Sequence, residues 1–434
     1  MLFVHTRALD RDLSPELFPM DAAALPTNGF FFASPPAQGA PLTLAAPGLG
    51  DIPGQDFAPA WHWEDGSDLD RAGAAWYLVG RHAQVFDAVQ RRGTGPVAFA
   101  SFGFNSAATP VFVLPSFLVG SDAQGAWITV AYQAESVDEP RADRLYRTAL
   151  AWIKNFPHRQ RQDALQTQPS AVVGKTSYQE NVAAAVRAIR EGKAEKIVMA
   201  RPARFEFAGE AGAERARAAG GALASRLRER YPTCWIFNVG GLVGATPEML
   251  LDAAAGRAHS RVLAGTATPG EDVDLAHSAK NLAEHQVALR SVAEPLRRVD
   301  PDLEASGPYL LQLPNLTHLA TDLHLRVPAG KTLLHLVAQF HPTAAVCGLP
   351  REFARTFISR FEADRGRYAG PVGWVDAQGG GQLALALRCA QLDALGVEAW
   401  VGAGIMADSD PETEWQETGA KLAPIRDCLN LSAD

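Results

Sequence analysis

The chain is poor in cysteine. It contains four cysteines in 434 residues, all far apart, and no two of them form a Cys-x-x-Cys pair. A disulfide framework or a zinc site needs numerous or closely spaced cysteines, so neither is expected. Sparse, unpaired cysteines are typical of a reducing compartment, and the sequence therefore predicts a cytoplasmic protein.

Long hydrophobic runs and basic runs are also missing. No stretch reaches the roughly 18 apolar residues that a membrane-spanning helix needs. The first residues, Met1-Leu2-Phe3-Val4-His5-Thr6-Arg7, lack a basic segment followed by a long apolar one, so no signal peptide is predicted. The net charge of −8, without a cluster of lysine or arginine, argues against nucleic acid and anionic membranes as partners.

What the chain does have is the composition of a globular protein with a large core. Hydrophobic residues make up 47% and charged residues 20%. A polar, glutamine-rich stretch, Asn155–Ser177, separates an N-terminal part, residues 1–160, from a region spanning residues 175–430. Beyond it, helical and strand patterns alternate with hairpin signals such as Gly379-Gly380-Gly381. This pattern favours an α/β (α+β) fold with largely antiparallel sheets and helices outside them.

Three local predictions follow from residue patterns. Tyr178–Glu191 is predicted to be an amphipathic helix, with Ser177 as its N-cap. Leu383–Leu392 is predicted to be one apolar strand, which contains Arg388. A buried arginine needs an anion, so Arg388 is expected to meet either a substrate carboxylate or a structural ion-pair partner.

The most informative segment runs from Gly402 to Lys421. Gly402-Ala403-Gly404 is predicted to be a turn that lets the backbone approach an anion closely. The following helix carries Glu414, Glu417 and Lys421, whose i, i+3 and i+7 spacing places them on one face. Two carboxylates and a cation on one face suit Mg²⁺ together with a carboxylate substrate. A solvated acidic helix face is the alternative.

Three other residues suit acid–base or metal chemistry. Pro247 fixes a turn before Glu248, and a carboxyl in an apolar pocket has a raised pKa and can act as a general acid. Lys196 directly precedes an apolar strand, where desolvation lowers a lysine pKa and makes it a possible base. Glu284, in a long predicted helix, is a third carboxylate for Mg²⁺. The alternatives are a surface turn glutamate, a strand-flanking lysine and a solvent-facing helical glutamate.

The order of these segments is more specific than any one of them. The segments are Lys-Ile-Val-Met-Ala-Arg from Lys196, Gly-Ala-Thr-Pro-Glu at 244–248, Leu-Ala-Gly-Thr at 263–266, Lys280–His285, His-Pro-Thr at 341–343, Tyr368–Trp374, Arg388, and Gly402–Lys421. Together they resemble the isochorismate synthases of the chorismate-utilising enzyme family over residues 175–430. Phe30–Pro35 also resembles the start of these enzymes. The resemblance implies one large fold, so that both parts of the chain form a single structural domain.

The resemblance also implies a reaction and a role for each residue. The expected reaction is the reversible, Mg²⁺-dependent conversion of chorismate to isochorismate. Lys196 would activate water for attack at ring C2, and Glu248 would protonate the departing C4 hydroxyl. Glu284 and Glu417 would hold Mg²⁺, with Glu414 supporting it through water. The residues expected to contact the substrate are Gly265, Thr266, His341, Ala345, Tyr368, Arg388, Gly402, Ala403, Gly404 and Lys421.

Single positions separate the relatives of these enzymes. Aminodeoxychorismate synthases often carry a lysine where Ala264 stands, and salicylate synthases a threonine near Ala345. One departure is Asn281, where many relatives have an acidic residue near the metal. The resemblance implies a monomer without a glutaminase subunit. A salicylate synthase that goes on to release pyruvate and a chorismate-binding protein without catalysis remain the alternatives, and the pathway, siderophore or menaquinone, stays open.

Overall fold

The computed structural model describes residues 1–9, 29–35, 41–48, 58–154, 165–172, 174–208, 212–267, 275, 277–312 and 317–429. In these residues the strands form two sheets. The larger, 13-stranded sheet contains β1 (Leu2–Ala8), β2 (Phe30–Ala33), β3 (Thr43–Ala46), β5 (Gln84–Asp87), β8 (Phe117–Asp122), β9 (Gly125–Gln133), β10 (Thr167–Val172), β11 (Lys196–Phe207), β12 (Trp235–Val239), β13 (Leu242–Thr246), β18 (Gly348–Leu349), β21 (Cys389–Asp393) and β22 (Gly396–Ile405). The 9-stranded sheet contains β4 (Trp61–His62), β6 (Val97–Ser101), β7 (Val111–Leu114), β14 (Met249–Ala254), β15 (Arg257–Ala267), β16 (Glu304–Gln312), β17 (Thr317–Arg326), β19 (Pro371–Asp376) and β20 (Gly381–Leu385).

The described part of the chain also contains eight helices. These are α1 (Leu69–His82), α2 (Glu139–Lys154), α3 (Lys175–Arg190), α4 (Ala213–Arg230), α5 (Ala279–Arg297), α6 (Leu333–Phe340), α7 (Arg351–Phe361) and α8 (Pro411–Cys428). None of them is both long enough and apolar enough to span a membrane. The predicted helix Tyr178–Glu191 corresponds to α3, the helix predicted around Glu284 to α5, and the helix predicted to carry Glu414, Glu417 and Lys421 to α8.

The sheets are almost entirely antiparallel. β1 and β5 run parallel, whereas the other recorded strand pairs are antiparallel. The larger sheet has the order β10-β11-β22-β21-β13-β12-β2-β3-β8-β9-β1-β5, with β18 also on β11. The second has the order β16-β17-β15-β14-β20-β19-β6-β7-β4. The predicted α/β fold with mostly antiparallel sheets is therefore confirmed.

Alternating side chains of the larger sheet build two cores. On β12, Trp235, Phe237 and Val239 pack into a core shared with the second sheet. The intervening Ile236 packs instead into a second core with α2, α4 and α8. A strand that is buried on both faces reads as a continuous apolar run, which explains why β12 shows no polar alternation in the sequence.

Two of the local predictions are wrong in ways that matter for the site. Leu383–Leu392 is not one strand: β20 ends at Leu385 in the second sheet, and β21 begins at Cys389 in the larger one. Arg388 lies in the crossover between the sheets, with φ of +48°. Gly402–Gly404 is not a turn either. These residues belong to β22, where Gly402 pairs with Ala200 and Gly404 with Val198, because strand pairing overrides the glycine preference for turns.

The predicted N-cap of α3 is also wrong. Helix α3 begins at Lys175, two residues before Ser177, and its N-cap is Gly174, which has no side chain to accept a capping hydrogen bond. Helix α8, which carries Glu414, Glu417 and Lys421, is by contrast capped by a side chain. Asp410, six residues beyond Gly404, accepts a hydrogen bond from the Thr413 N–H at 2.9 Å and so fixes the start of α8 at Pro411.

Candidate active site

Lys196 lies at the start of β11, and its side chain is 4% exposed. Its Nζ donates a hydrogen bond to Glu284 Oε1 of α5 at 2.9 Å. A Cβ added at Gly404 would lie 2.6 Å from Lys196 Cε. Gly404 is therefore required for close approach, since its missing side chain leaves the space that the lysine occupies. This geometry brings the predicted base and one predicted metal ligand together.

Glu248 follows β13 in the turn before β14, as the Thr-Pro-Glu pattern predicted. Burial raises the pKa of its carboxyl to about 7, and nearby cations oppose that rise. The cations are Arg388, Lys196 and Lys421. A carboxyl with a pKa near 7 holds its proton at neutral pH often enough to donate it, as a general acid must.

Arg388 has an unusual backbone conformation, and within the described residues its guanidinium makes no hydrogen bond or salt bridge. Its φ of +48° is in the left-handed region, which costs a non-glycine residue free energy and often marks a functional position. Its carbonyl accepts the Ala245 N–H at 3.2 Å. No hydrogen bond or salt bridge joins its side chain to another residue of the described chain. The structural ion-pair partner that was the alternative for Arg388 is thus not found among the described residues. A bound anion remains as the partner that its half-buried guanidinium needs.

The end of β22 and helix α8 add a second cation. Lys421 Nζ donates to the Gly402 carbonyl at 3.1 Å and pairs with Glu417 one turn earlier in the helix. Burial lowers the Lys421 pKa, and the charge of Glu417 opposes that shift. Tyr368 stacks on Trp400 and places its hydroxyl 3.3 Å from where a Cβ of Gly402 would lie. Lys196, Tyr368 and Lys421 therefore each lie against Gly402 or Gly404 of β22.

The remaining predicted contacts lie in two groups. Ala403 faces the opposite side of β22 from its neighbouring glycines, so that only its backbone is available on the site face. Ala345 lines a small cavity together with Glu248. His341 is buried near the backbone of Gly103, and burial lowers its imidazole pKa to about 3, so this ring is neutral. Gly265, with φ of +79°, packs against Asn281 of α5. The roles predicted for these residues stay predictions.

One residue near the site was missed by the sequence reasoning. His318 is the second residue of β17, and its register places it opposite Thr266. Burial lowers the His318 pKa to about 4, with Arg388 acting in the same direction and Glu284 opposing it. His318 is therefore a neutral imidazole within electrostatic range of Arg388 and Glu284. A lone histidine in an apolar strand gives no local signal, and the pairing with β15 is what brings it there.

Each of the three carboxylates predicted to bind Mg²⁺ has a partner within the protein. Glu284 pairs with Lys196, Glu417 pairs with Lys421, and Glu414 accepts a hydrogen bond from Ser409 Oγ at 2.6 Å. Within the described ranges no three His, Cys, Asp or Glu side chains form a metal-binding group. Mg²⁺ commonly takes one or two protein carboxylates and completes its shell with water and substrate oxygens. The donor chemistry of Glu284 and Glu417 fits that pattern.

An acid with a raised pKa, a buried lysine and two further cations within electrostatic range of that acid suit acid–base chemistry on an anionic small molecule. Comparison with known proteins identifies the family. The family model described as "Chorismate binding enzyme" matches residues 52–430. The chain therefore belongs to the chorismate-binding enzymes.

Individual relatives agree with this assignment. The chain is 33% identical over 276 residues to isochorismate synthase EntC of Escherichia coli (strain K12), covering 60% of this chain and 69% of that protein. It is 26% identical over 372 residues to isochorismate synthase MenF of Bacillus subtilis (strain 168), covering 80% and 78%. Its fold matches the solved structure of MenF, the menaquinone-specific isochorismate synthase from Escherichia coli, with a TM-score of 0.76 at 22% identity, covering 99% of this chain and 95% of that one.

Proposed function

We propose that this protein is an isochorismate synthase that converts chorismate to isochorismate by adding water at C2 and expelling the C4 hydroxyl. One observation carries the proposal: a carboxyl whose pKa is raised to about 7 lies within electrostatic range of Lys196, Arg388 and Lys421. Chorismate has two carboxylates, and two cations outside the acid–base pair match them in number. The curated relatives named as isochorismate synthases support the same reaction.

The residues take complementary parts in this reaction. Lys196 removes a proton from the water that attacks C2. Glu248 donates its proton to the C4 oxygen, so that hydroxide leaves as water while the ring double bonds shift. A positioned acid or base contributes about 10²–10⁴-fold each to such a step. Arg388 binds the enolpyruvyl carboxylate beside Tyr368, and Lys421 with the β22 backbone binds the ring carboxylate.

We include Mg²⁺ in the proposal. Glu284 and Glu417 would hold the ion, with Glu414 supporting it through water, and its charge would neutralise the ring carboxylate as the ring rearranges. Glu284 would then have two partners, Mg²⁺ and Lys196, because it also accepts a hydrogen bond from the lysine. We further propose a cytoplasmic monomer that acts without a glutaminase subunit and supplies siderophore or menaquinone synthesis.

The test is incubation of the purified protein with chorismate and Mg²⁺, with and without ammonium, followed by chromatography of the products. We expect an equilibrium mixture of chorismate and isochorismate, no pyruvate, and loss of turnover when EDTA removes Mg²⁺. Salicylate with stoichiometric pyruvate would make the protein a salicylate synthase. Anthranilate formed with ammonium, or chorismate binding without turnover, would also overturn the proposal.

A further inference from the structure

Strand β11, which begins with Lys196, has a gap along one edge. β18 pairs with Lys196 and Ile197, and β10 pairs with β11 from Ala203 onward. Between them, residues 198–202 have no neighbouring strand on that side in the described structure. Buried backbone N–H and C=O groups at such an edge need other partners.

The Val198 N–H donates to the Cys347 carbonyl at 2.9 Å, and a buried ion pair supplies two further partners. Glu362, directly after α7, and Arg365 have side chains that are 2% and 1% exposed. The Ala200 N–H donates to Glu362 Oε1 at 2.7 Å, and Arg365 Nη2 donates to the Val198 carbonyl at 2.8 Å. The two side chains also bind each other, with Arg365 Nε 2.8 Å from Glu362 Oε2. The pair thus offers β11 an acceptor and a donor where a strand would otherwise lie.

The same arginine reaches two other segments of the site. Its Nη1 donates to the Val346 carbonyl at 2.8 Å, directly after Ala345. Its own carbonyl accepts the Tyr368 N–H at 3.0 Å. The guanidinium also stacks over the Phe104 ring, 4.5 Å from its centroid. One charged pair therefore connects the strand of Lys196 with the backbone beside Ala345 and Tyr368.

From this arrangement we infer that Glu362 and Arg365 are positioning residues, which hold the β11 backbone so that Lys196 meets its partners. The inference rests on the proposed function, in which Lys196 is the base. Lys196, Val198 and Ala200 project from one face of β11, because side chains alternate along a strand. Movement of the 198–200 backbone therefore moves Lys196. A displacement of about 1 Å in a catalytic group can cost about 100-fold in rate.

A double variant that lacks both charges can distinguish a positioning role from a purely structural one. Glu362→Gln with Arg365→Met removes both charges, so that neither is left buried alone, which is the costly arrangement. Methionine cannot donate to Val198 or Val346, whereas glutamine can still accept the Ala200 N–H. We expect thermal stability to be higher in the double variant than in Arg365→Met alone, while kcat stays at least about tenfold below wild type. A wild-type kcat and pH profile, measured well below the unfolding temperature, would show that the pair only stabilises the fold.

Hydrogen exchange tests the same inference without relying on turnover. In Glu362→Gln and in the double variant we expect faster amide exchange in peptides covering residues 196–201 and 345–347. The matched control is Asp122→Asn, which breaks the partly buried Arg91–Asp122 ion pair at the other end of the larger sheet. This control should leave exchange in those peptides and kcat unchanged. Unaltered exchange at residues 196–201 overturns the inference, whereas a wild-type protein that fails to convert chorismate counts against the proposed function.

Discussion

Glu248 is the residue whose chemistry the structure constrains most closely. Its pKa is raised to about 7 by burial, whereas its unfolded-state value is 4.5. A general acid must be protonated, so we expect kcat/KM to fall as pH rises through about 7. The corresponding fall in kcat should occur at higher pH, because a bound dianionic substrate disfavours ionisation of a neighbouring carboxyl. Steady-state kinetics from pH 5.5 to 9 check both limbs, and a flat profile across this range would contradict the assignment.

Stability gives a second measurement on the same carboxyl. Because the folded pKa exceeds the unfolded one, the native state binds more protons between pH 4.5 and 7, and wild-type stability falls as pH rises through that window. Glu248→Gln cannot titrate at this position. Between pH 4.5 and 7 its free energy of unfolding should therefore rise, relative to that of wild type, by at most about 3 kcal/mol. Denaturant unfolding at pH 5 and pH 8 measures this gain, and an equal difference at both values would exclude the raised pKa.

Arg388 makes a different prediction, on substrate affinity. A charge-assisted hydrogen bond is worth about 1.5–3 kcal/mol, so losing the guanidinium should raise KM for chorismate by about 10- to 100-fold. Arg388→Asn is the suitable variant, since asparagine tolerates the left-handed backbone at φ of +48°. Arg388→Lys serves as the control that keeps the positive charge and should lose less. A KM unchanged in Arg388→Asn would mean that the guanidinium does not meet a substrate carboxylate.

At the scale of the element, β22 explains what the sequence can and cannot predict. Lys196, Glu248 and Lys421 could be singled out because each lies in a short segment with its own signal. The conformation of Gly402–Gly404 was not predictable locally, since glycines in a turn and glycines in a strand beside a bulky lysine look alike. Pairing with β11, from a point about 200 residues earlier, decides between the two. His318 reaches the site through strand register in the same way.

The same element predicts the effect of a single methyl group. In Gly404→Ala the new Cβ would lie 2.6 Å from Lys196 Cε, so the flexible lysine end must move while the backbone stays in place. We expect folding stability within about 1 kcal/mol of wild type, because alanine also restricts the unfolded chain, and activity at least about tenfold lower. Gly419→Ala in α8 is the control, since its Cβ meets no atom within 4 Å. Equal activities of the two variants would show that Gly404 does not position Lys196.

At the scale of the whole molecule, each part of the chain supplies one block of adjacent strands to each sheet, and the two blocks meet edge to edge. β2 pairs with β12 in the larger sheet, and β6 pairs with β19 in the second. Phe30 and Phe99 stack on each other in the core between the sheets. The glutamine-rich stretch near residue 160 marks a change in composition, but the residues before it complete one end of each sheet.

This sharing of both sheets predicts that residues 165–434 do not fold alone, although they carry every residue proposed for catalysis. Without β2 and β6, the edges of β12 and β19 lose their strand partners, and the shared core loses its N-terminal aromatic side chains. We expect the isolated fragment to show no cooperative unfolding transition and to bind a hydrophobic dye. Co-expression with residues 1–164 is the complementing control and should restore both cooperative unfolding and chorismate turnover. A fragment 165–434 that unfolds cooperatively by itself would instead establish two independent domains, and the composition change near residue 160 would then be a true boundary.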